Sequence, residues 1–244
     1  MNAINIKKLH VDWACMVGED FRLKDKGFRS YALGFARNML APFKDNIIKI
    51  IDYLISNNYR FMYAERAHSE PDGETIEWIE EYERKGIYLP ISLQAWLLEV
   101  GCFNLIGTNN DWPKTSYLSD GNVNSNDVWL TDPLVVEVTN DYIEYLYNEW
   151  KYGVEEEGLE NVGPFKIDFS PDYLHKANIS GGMPYEIIAD TPAVDSIVLN
   201  ERTCTSFTGY IRNALLWGGF PGIAHFNDSD RKYLREIIDN GISL

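Results

Sequence analysis

Helical and strand patterns follow one another along this chain in an irregular order, which argues against the strand–helix–strand repeat of a parallel α/β fold. Apolar residues at helical spacing predict helices after Pro42 and over 74–85, 90–100, 141–151, 206–217 and 230–239. Alternating or β-branched runs predict strands at 59–63, 102–106, 133–139, 164–169 and 184–189. The mixture predicts the α+β class.

Particular residues mark where these elements should begin or end. The first helix is expected to follow Pro42, and Gly101 is expected to close the helix over 90–100. Thr205 is the expected N-cap of the helix over 206–217. The acidic stretch 155–164 (EEEGLENVGP) combines charge, Gly and Pro, and it is predicted to be a loop.

The chain shows no internal repeat and no long linker, so we expect a single domain over 1–244. The Asn-rich stretch 119–127 and the acidic stretch 155–164 are too short to be disordered linkers, and they are interpreted as two elaborated loops. An N-terminal helical extension over residues 1–70 is left open as an alternative division of the chain.

Several classes of protein are disfavoured by composition. No segment reaches the roughly 18 consecutive apolar residues of a membrane span, and residues 1–13 lack an apolar run of signal-peptide length. The cysteines at 15, 102 and 204 are odd in number and far apart, which argues against a disulfide framework and a thiolate zinc site. We therefore expect a cytoplasmic protein.

The net charge of −15 is concentrated in the middle of the chain. Residues 1–60 carry a net charge of +4, residues 61–160 carry −16, and residues 161–244 carry −3. An excess of negative charge repels phosphate backbones and anionic lipid, so neither nucleic acid nor membrane is an expected partner. It would attract a basic protein and accelerate the encounter with it.

Motifs that carry chemistry are sparse. The chain has no GxSxG elbow, no HExxH pair, no Walker motif and no GxGxxG after a strand, so we expect no metal and no cofactor. The tightest polar group is Asp168, Asp172 and His175, which supports a small hydrolase as an alternative function. A structural interpretation explains the same stretch as a helix start, with Ser170 as the N-cap and Pro171 in the first position.

Two stretches resemble a known family. Residues 89–107 (LPISLQAWLLEVGCFNLIG) combine a Leu-Pro pair, an amphipathic helix, a glycine turn and a short strand, and this order resembles the signature of the SUKH superfamily. The segment from Asp168 through Asp195 to 206–222 is similar to the C-terminal part of bacterial members. The family turn is usually Gly-Gly, whereas this chain has Gly101–Cys102.

The resemblance implies an α+β fold with a curved mixed sheet flanked by helices. It also implies a non-catalytic protein-binding module, because many members are immunity proteins that neutralise toxins, often nucleases. A regulator of cell-wall synthesis that acts as an interaction module is the alternative within the same family. The implied partner is a basic toxin or a regulated enzyme, and the resemblance carries over no catalytic residue.

Candidate partner contacts lie on the acidic middle of the chain. They are Glu74, Glu77, Glu80 and Glu81 on one predicted helix, and Glu155, Glu156, Glu157 and Glu160 in the predicted acidic loop. Trp112 lies in the same region and is the candidate aromatic anchor. A solvated acidic face that only maintains solubility is the structural alternative for these carboxylates.

Overall fold

The computed structural model describes residues 6–109, 130–225 and 231. Its helices are α1 Ile6–Val17, α2 Lys26–Ser56, α3 Thr75–Arg84, α4 Ile91–Glu99, α5 Asn140–Glu157, α6 Leu159–Val162 and α7 Phe207–Leu216. Its strands are β1 Arg60–Phe61, β2 His68–Ser69, β3 Cys102–Asn104, β4 Gly107–Thr108, β5 Val135–Val136, β6 Lys166–Ser170 and β7 Tyr185–Ile188. The predicted loop 119–127 and nearly all of the predicted helix 230–239 lie outside the described residues.

The strands form small sheets flanked by helices, which confirms the α+β class. The pairs are β1–β4 in one sheet, β2–β3–β5 in a second and β6–β7 in a third. Backbone bonds connect the last two sheets at their edges, because the Glu137 N–H donates to the Phe169 carbonyl at 2.9 Å. Every described pair is antiparallel, whereas a mixed sheet was expected. Antiparallel neighbours need no crossover helix, and β6 and β7 reverse direction through the irregular segment 171–184.

Helix α2 begins well before the predicted position after Pro42. The Asp25 carboxylate accepts a hydrogen bond from the Phe28 N–H at 2.7 Å and caps the helix, which then continues through Pro42 to Ser56. A proline inside a helix costs about 3 kcal/mol or more. That cost is tolerated here because one apolar stripe runs the full length of the helix and is buried, with members on both sides of the proline.

The acidic stretch 155–164 is mostly helical, over 155–157 and 159–162, so the prediction of a loop was wrong. Helix α5 is capped by the Thr139 hydroxyl, which accepts from the Tyr142 N–H at 3.3 Å, and it continues through the three glutamates that precede Gly158. Glutamate is a good helix former, and the helix ends only where Gly158 adopts a φ of +85°. The short helix α6 follows at once.

The predicted N-cap of α7 is displaced by one residue. The Ser206 hydroxyl, rather than that of Thr205, accepts the hydrogen bond from the Gly209 N–H, at 3.3 Å. Thr205 belongs instead to an extended segment, since its carbonyl accepts from the Val198 N–H at 2.9 Å. The extended pairing fixes Thr205 outside the helix.

Buried apolar side chains form one cluster that extends from Trp13 in α1 to Ile223 near the end of the described chain. Helix α4 is central to it, with Leu93, Ala95 and Trp96 fully buried. The N-terminal helices therefore share a core with the strands. The single domain over 1–244 stays a prediction, since it includes ranges outside the description. Among the described residues, no helix combines the length and apolar character that crossing a membrane requires.

Candidate functional site

An open groove lies beside the junction of β5, β6 and the start of α5. It consists of two adjoining cavities of about 550 and 700 Å³, a size that suits a small molecule or a few side chains. Both cavities are lined by Arg66, Glu137, Pro171 and Pro184, so they form one continuous space. We call this space the groove.

Strand geometry explains why carboxylates reach the groove. Along β6, Ile167 and Phe169 are buried while Asp168 between them is partly exposed, as the alternation of a half-buried strand requires. The Glu137 N–H bonds to the Phe169 carbonyl, which brings the residue after β5 alongside β6. Asp168 and Glu137 consequently line the same cavity.

Asp168 is an incompletely satisfied carboxylate. The Tyr142 hydroxyl donates to its Oδ2 at 2.7 Å, whereas Oδ1 is buried and has no hydrogen-bond partner on another described residue. Burial raises the pKa of Asp168, the Tyr142 hydrogen bond opposes that shift, and the charge of Glu186 adds to it. The protein therefore holds this carboxylate in an environment that disfavours its charge.

Glu137 is the second carboxylate with a perturbed pKa in the groove. Asn104 Nδ2 donates to its Oε2 at 3.0 Å. Burial raises the pKa of Glu137, and the hydrogen bond from Asn104 and the charge of Arg66 offset part of that shift. Two carboxylates with raised pKa values in one cavity are a common feature of functional sites.

Asp172 and His175 line the second cavity and contact each other through Oδ2 and Nδ1. Asp172 also accepts hydrogen bonds from the backbone N–H groups of Leu174 at 2.7 Å and His175 at 3.3 Å, so it caps a short 3-10 turn. The predicted cap Ser170 is instead the last residue of β6, because the strand continues further than expected. The structure thus brings Asp168, Asp172 and His175 to one groove.

Catalytic geometry among these residues is incomplete. Ser180 lines the second cavity, yet among the described residues no hydrogen bond joins it to His175. The backbone here requires glycine at position 182, since a Cβ there would lie 2.2 Å from the Asp172 carboxylate. The glycine turn therefore leaves room for the buried Asp172.

The fold also holds a buried ion pair that was not predicted from the sequence. Lys176 Nζ donates to Asp132 Oδ1 at 2.7 Å, and both side chains are at most 2% exposed. The Tyr185 hydroxyl donates to Asp132 Oδ2 at 2.9 Å. Burial alone would lower the pKa of Lys176, but the charge of Asp132 and its hydrogen bonds outweigh this effect and raise it. No spacing in the sequence signals this pair.

The eight glutamates among the predicted partner contacts are all exposed, and they lie on or just before α3, on α5 and on the short helix α6. We call the following carboxylates the acidic surface: Glu74, Glu77, Glu80, Glu81, Asp141, Glu144, Glu149, Glu155, Glu156, Glu157 and Glu160. Within the described residues, ion pairs engage only two of them, Glu81 with Lys85 at 2.7 Å and Glu155 with Lys151 at 3.8 Å. No lysine or arginine in the described part of the chain forms an ion pair with the remaining carboxylates.

Helices α3 and α5 meet end to end along this surface. The Tyr82 hydroxyl donates to the Asn140 carbonyl at 3.4 Å. Burial, followed by the charges of Glu144, Glu81 and Asp141, raises the pKa of Tyr82 to about 12. Carboxylates from both helices therefore act on the same side chain.

The two predicted acidic groups are not one cluster. Glu144 lies at the α3 end of α5, and Glu156 lies about 18 Å further along the same helix at 1.5 Å per residue. The acidic surface is thus elongated. Trp112, the predicted anchor, lies outside the described residues.

Exposed tyrosines on α5 were not predicted as anchors. Tyr145 and Tyr152 are 58% and 63% exposed, and they share a helical stripe with Glu149 and Glu156. Tyr145 stacks on Tyr142 with ring centroids 6.4 Å apart. Because Tyr142 lines the groove, this stack connects the groove to the acidic surface. The sequence did hold a signal for these exposed tyrosines. They are two turns apart on the helix face opposite the apolar Ile143.

Metal ligands are not grouped in the described part of the chain, which holds no set of three His, Cys, Asp or Glu side chains suited to an ion.

Comparisons of the chain with protein-family models, curated proteins and solved structures return no match. The resemblance to the SUKH superfamily accordingly stays a prediction.

Proposed function

We propose that this chain is a non-catalytic protein-binding module that docks a basic partner on its acidic surface. The observation that carries the proposal is the meeting of α3 and α5, where Tyr82 bonds to Asn140 and the charges of Glu144, Glu81 and Asp141 all act on Tyr82. Most carboxylates of that surface have no ion-pair partner among the described residues. Such a field attracts a positively charged protein and accelerates the encounter.

The exposed tyrosines provide aromatic contact area, which contributes binding energy that charge alone does not. Exposed ion pairs contribute little affinity, whereas buried aromatic side chains dominate the binding energy of many interfaces. Tyr145 and Tyr152 stand among the carboxylates of α5 and would become buried when a partner covers that helix. We expect charge to set the association rate and the tyrosines to set the dissociation rate.

The resemblance to the SUKH superfamily suggests which kind of partner the acidic surface would bind. It favours an immunity protein that neutralises a nuclease-type toxin in the cytoplasm, because a nuclease is basic where it grips nucleic acid. A cell-wall-synthesis regulator would use the same surface on a regulated enzyme. Co-expression with a nuclease toxin from a neighbouring gene separates the two, since only an immunity protein restores growth.

Reversing charge on the acidic surface is expected to slow association with an inactivated toxin about tenfold or more at low salt. The variant is Glu144→Lys with Glu149→Lys, and the control is Asp45→Lys with Asp52→Lys on α2, which changes the net charge equally. Stopped-flow kinetics between about 50 and 500 mM NaCl measure the rates.

The control should keep most of the wild-type rate, and the rate of the wild-type chain should fall steeply with salt. A response to salt that is flat, or an equal loss in both double variants, would show that the acidic surface is not the contact.

Tyr145→Ala should chiefly raise the dissociation rate, without lowering the unfolding midpoint, since the side chain is 58% exposed.

A small hydrolase is the second candidate, favoured by one observation. Asp172 is buried, contacts His175 and orients a ring that is about half exposed to the second cavity, where Ser180 also lies. If this candidate holds, the purified chain hydrolyses p-nitrophenyl butyrate or bis-p-nitrophenyl phosphate, and His175→Ala lowers turnover about a hundredfold or more. Equal turnover by both proteins would remove it.

A further inference from the structure

We propose that the outer face of α5 docks one helix of the basic partner lengthwise, in the manner of a two-stranded coiled coil. Such docking rests on the proposed function, and it specifies which part of the acidic surface holds the partner and which secondary structure the partner presents. Three features of α5 support it: an outer face without a partner, the spacing of two exposed tyrosines, and the charges beside them.

Helix α5 contacts the rest of the molecule through one narrow side. Of its 18 residues only Ile143 is buried, and Tyr147 and Trp150 pack against the core as partly buried side chains. At about 100° per residue, Tyr145 and Tyr152 lie about 160–180° around the helix from Ile143. They are 58% and 63% exposed. The side of α5 that faces away from the core thus carries two aromatic rings that the rest of the described chain leaves mostly uncovered.

The spacing of these rings favours a helix as the partner. Tyr145 and Tyr152 are seven residues apart, with Asn148 between them on the same face. A repeat of seven residues with an intermediate position keeps one side of a helix against a neighbouring helix. Seven helical residues rise about 10.5 Å, so a partner helix with the same repeat meets both rings. A β-strand presents the same face about every 6.4–6.8 Å, and neither one nor two of those repeats matches the rings.

Carboxylates occupy the positions that flank this seam. Glu149 and Glu156 are seven residues apart on one flank, and Glu144 lies on the other. Among the residues that the structure describes, no cation forms an ion pair with any of the three. In coiled coils, charges at flanking positions select the partner and set its orientation. A partner helix with Lys or Arg at the matching positions would therefore be complementary to α5.

The inner side of α5 and one of its rings are already fixed in place. Trp150 Nε1 donates to the Gly163 carbonyl at 3.0 Å, and the Trp150 ring packs on the buried Phe165 ring with centroids 5.7 Å apart. Tyr145 stacks on Tyr142, whose hydroxyl donates to a carboxylate of β6 at 2.7 Å. A helix and a ring that are ordered before binding lose little conformational entropy when a partner covers them.

A second copy of this chain suits the same face less well. Two α5 helices packed antiparallel would place Glu149 of one copy beside Glu156 of the other, and two packed parallel would place Glu144 beside Glu149. Like charges in such positions repel each other. Sedimentation velocity at micromolar concentration is therefore expected to show no dimer that depends on α5.

Isothermal titration of the full chain with a synthetic basic helix tests the proposal. The probe is a blocked peptide of three LAALKAK repeats, which places leucine in the seam and lysine on both flanks. A peptide of the same composition in scrambled order is the matched comparison. We expect the repeat peptide to bind at least about tenfold more tightly at low salt, and to gain helical circular dichroism when it binds.

Variants of the chain assign that binding to the outer face of α5. Tyr145→Ala combined with Tyr152→Ala should weaken binding of the repeat peptide about tenfold. Tyr31→Ala on α2 removes a side chain that is 59% exposed, and it should leave binding unchanged. Glu149→Gln combined with Glu156→Gln should also weaken binding about tenfold at low salt. Because all these side chains are exposed, the thermal midpoint should stay near that of wild type, which separates lost binding from lost folding.

Three results would overturn the proposal: a repeat peptide that binds no more tightly than the scrambled one, a bound peptide that stays non-helical, or equal affinity for wild type and the double tyrosine variant. A dimer that the double tyrosine variant dissociates would overturn it as well, because a second copy would then cover α5. Association of an inactivated toxin that depends on salt and on charge reversal supports the proposed function even where the peptide fails, so the two failures are distinguishable.

Discussion

Replacing Lys176 with methionine is expected to lower the free energy of unfolding by about 3–5 kcal/mol, because the change leaves Asp132 as a buried charge without its cation. Methionine keeps most of the volume and flexibility of the lysine side chain, so loss of packing contributes little. The Tyr185 hydroxyl would still donate to Asp132, but one neutral donor cannot replace an ammonium group. Urea denaturation at neutral pH, followed by tryptophan fluorescence, measures the loss.

A second substitution distinguishes the unpaired charge from a general loss of packing. Adding Asp132→Asn to Lys176→Met removes the charge, and the double variant should recover most of the lost stability. Asparagine suits the position because residue 132 has a φ of +52°, a left-handed conformation that Asn tolerates. Asp132→Asn alone should also destabilise, since it leaves Lys176 buried without its counter-charge.

The sign of the pH dependence follows from the raised pKa of Lys176. Because the folded state holds the proton more tightly than the unfolded chain, the stabilisation is complete below the unfolded-state pKa and is lost as pH rises through the folded-state pKa. The pair therefore protects the fold at neutral pH. A single variant within about 1 kcal/mol of wild type, or a double variant less stable than both single variants, would contradict this account.

Periodicity predicted the elements whose burial follows one repeating stripe. Helices α3 and α7 lie within a residue or two of their predicted ranges, because each has a clear apolar face and a glycine or hydroxyl side chain at one end. Helix α4 also matches its predicted range, although it is buried on nearly every side. Helix α2 was predicted only after Pro42. Its first half carries Phe28, Ala32, Ala36 and Leu40 at a spacing of four, so the missing signal was present before the proline.

The groove was less predictable, since it depends on which strands become neighbours. Asp168, Asp172 and His175 are close in sequence and were singled out, whereas Glu137 joins them only because β5 lies beside β6. The pair of Lys176 and Asp132 joins residues 44 positions apart. A shift of one residue in strand pairing would turn these side chains to the other face, and composition does not fix that register.

Substituting alanine for Gly101 is the second large effect that we expect, a loss of about 2–5 kcal/mol in the free energy of unfolding. Gly101 has a φ of +89°, which is costly for a residue with a side chain. In addition, a Cβ at this position would lie 2.1 Å from the Ser69 carbonyl oxygen. Ser69 is paired with Cys102 in the β2–β3 sheet, so its backbone cannot yield without disturbing that pairing.

Two matched variants separate the two causes of that loss. Gly86 has a φ of +87° but nothing within 4 Å of its Cβ position, so Gly86→Ala should cost only about 1–2 kcal/mol. Cys102 already carries a side chain, whose Sγ lies 3.5 Å from the Val138 carbonyl oxygen, and Cys102→Ala should cost about 1 kcal/mol. The second position of the turn thus accepts a side chain, whereas the first does not. Equal losses for Gly101→Ala and Gly86→Ala, measured by urea denaturation, would mean that the close approach of Ser69 contributes nothing, and that left-handed backbone strain alone demands the glycine.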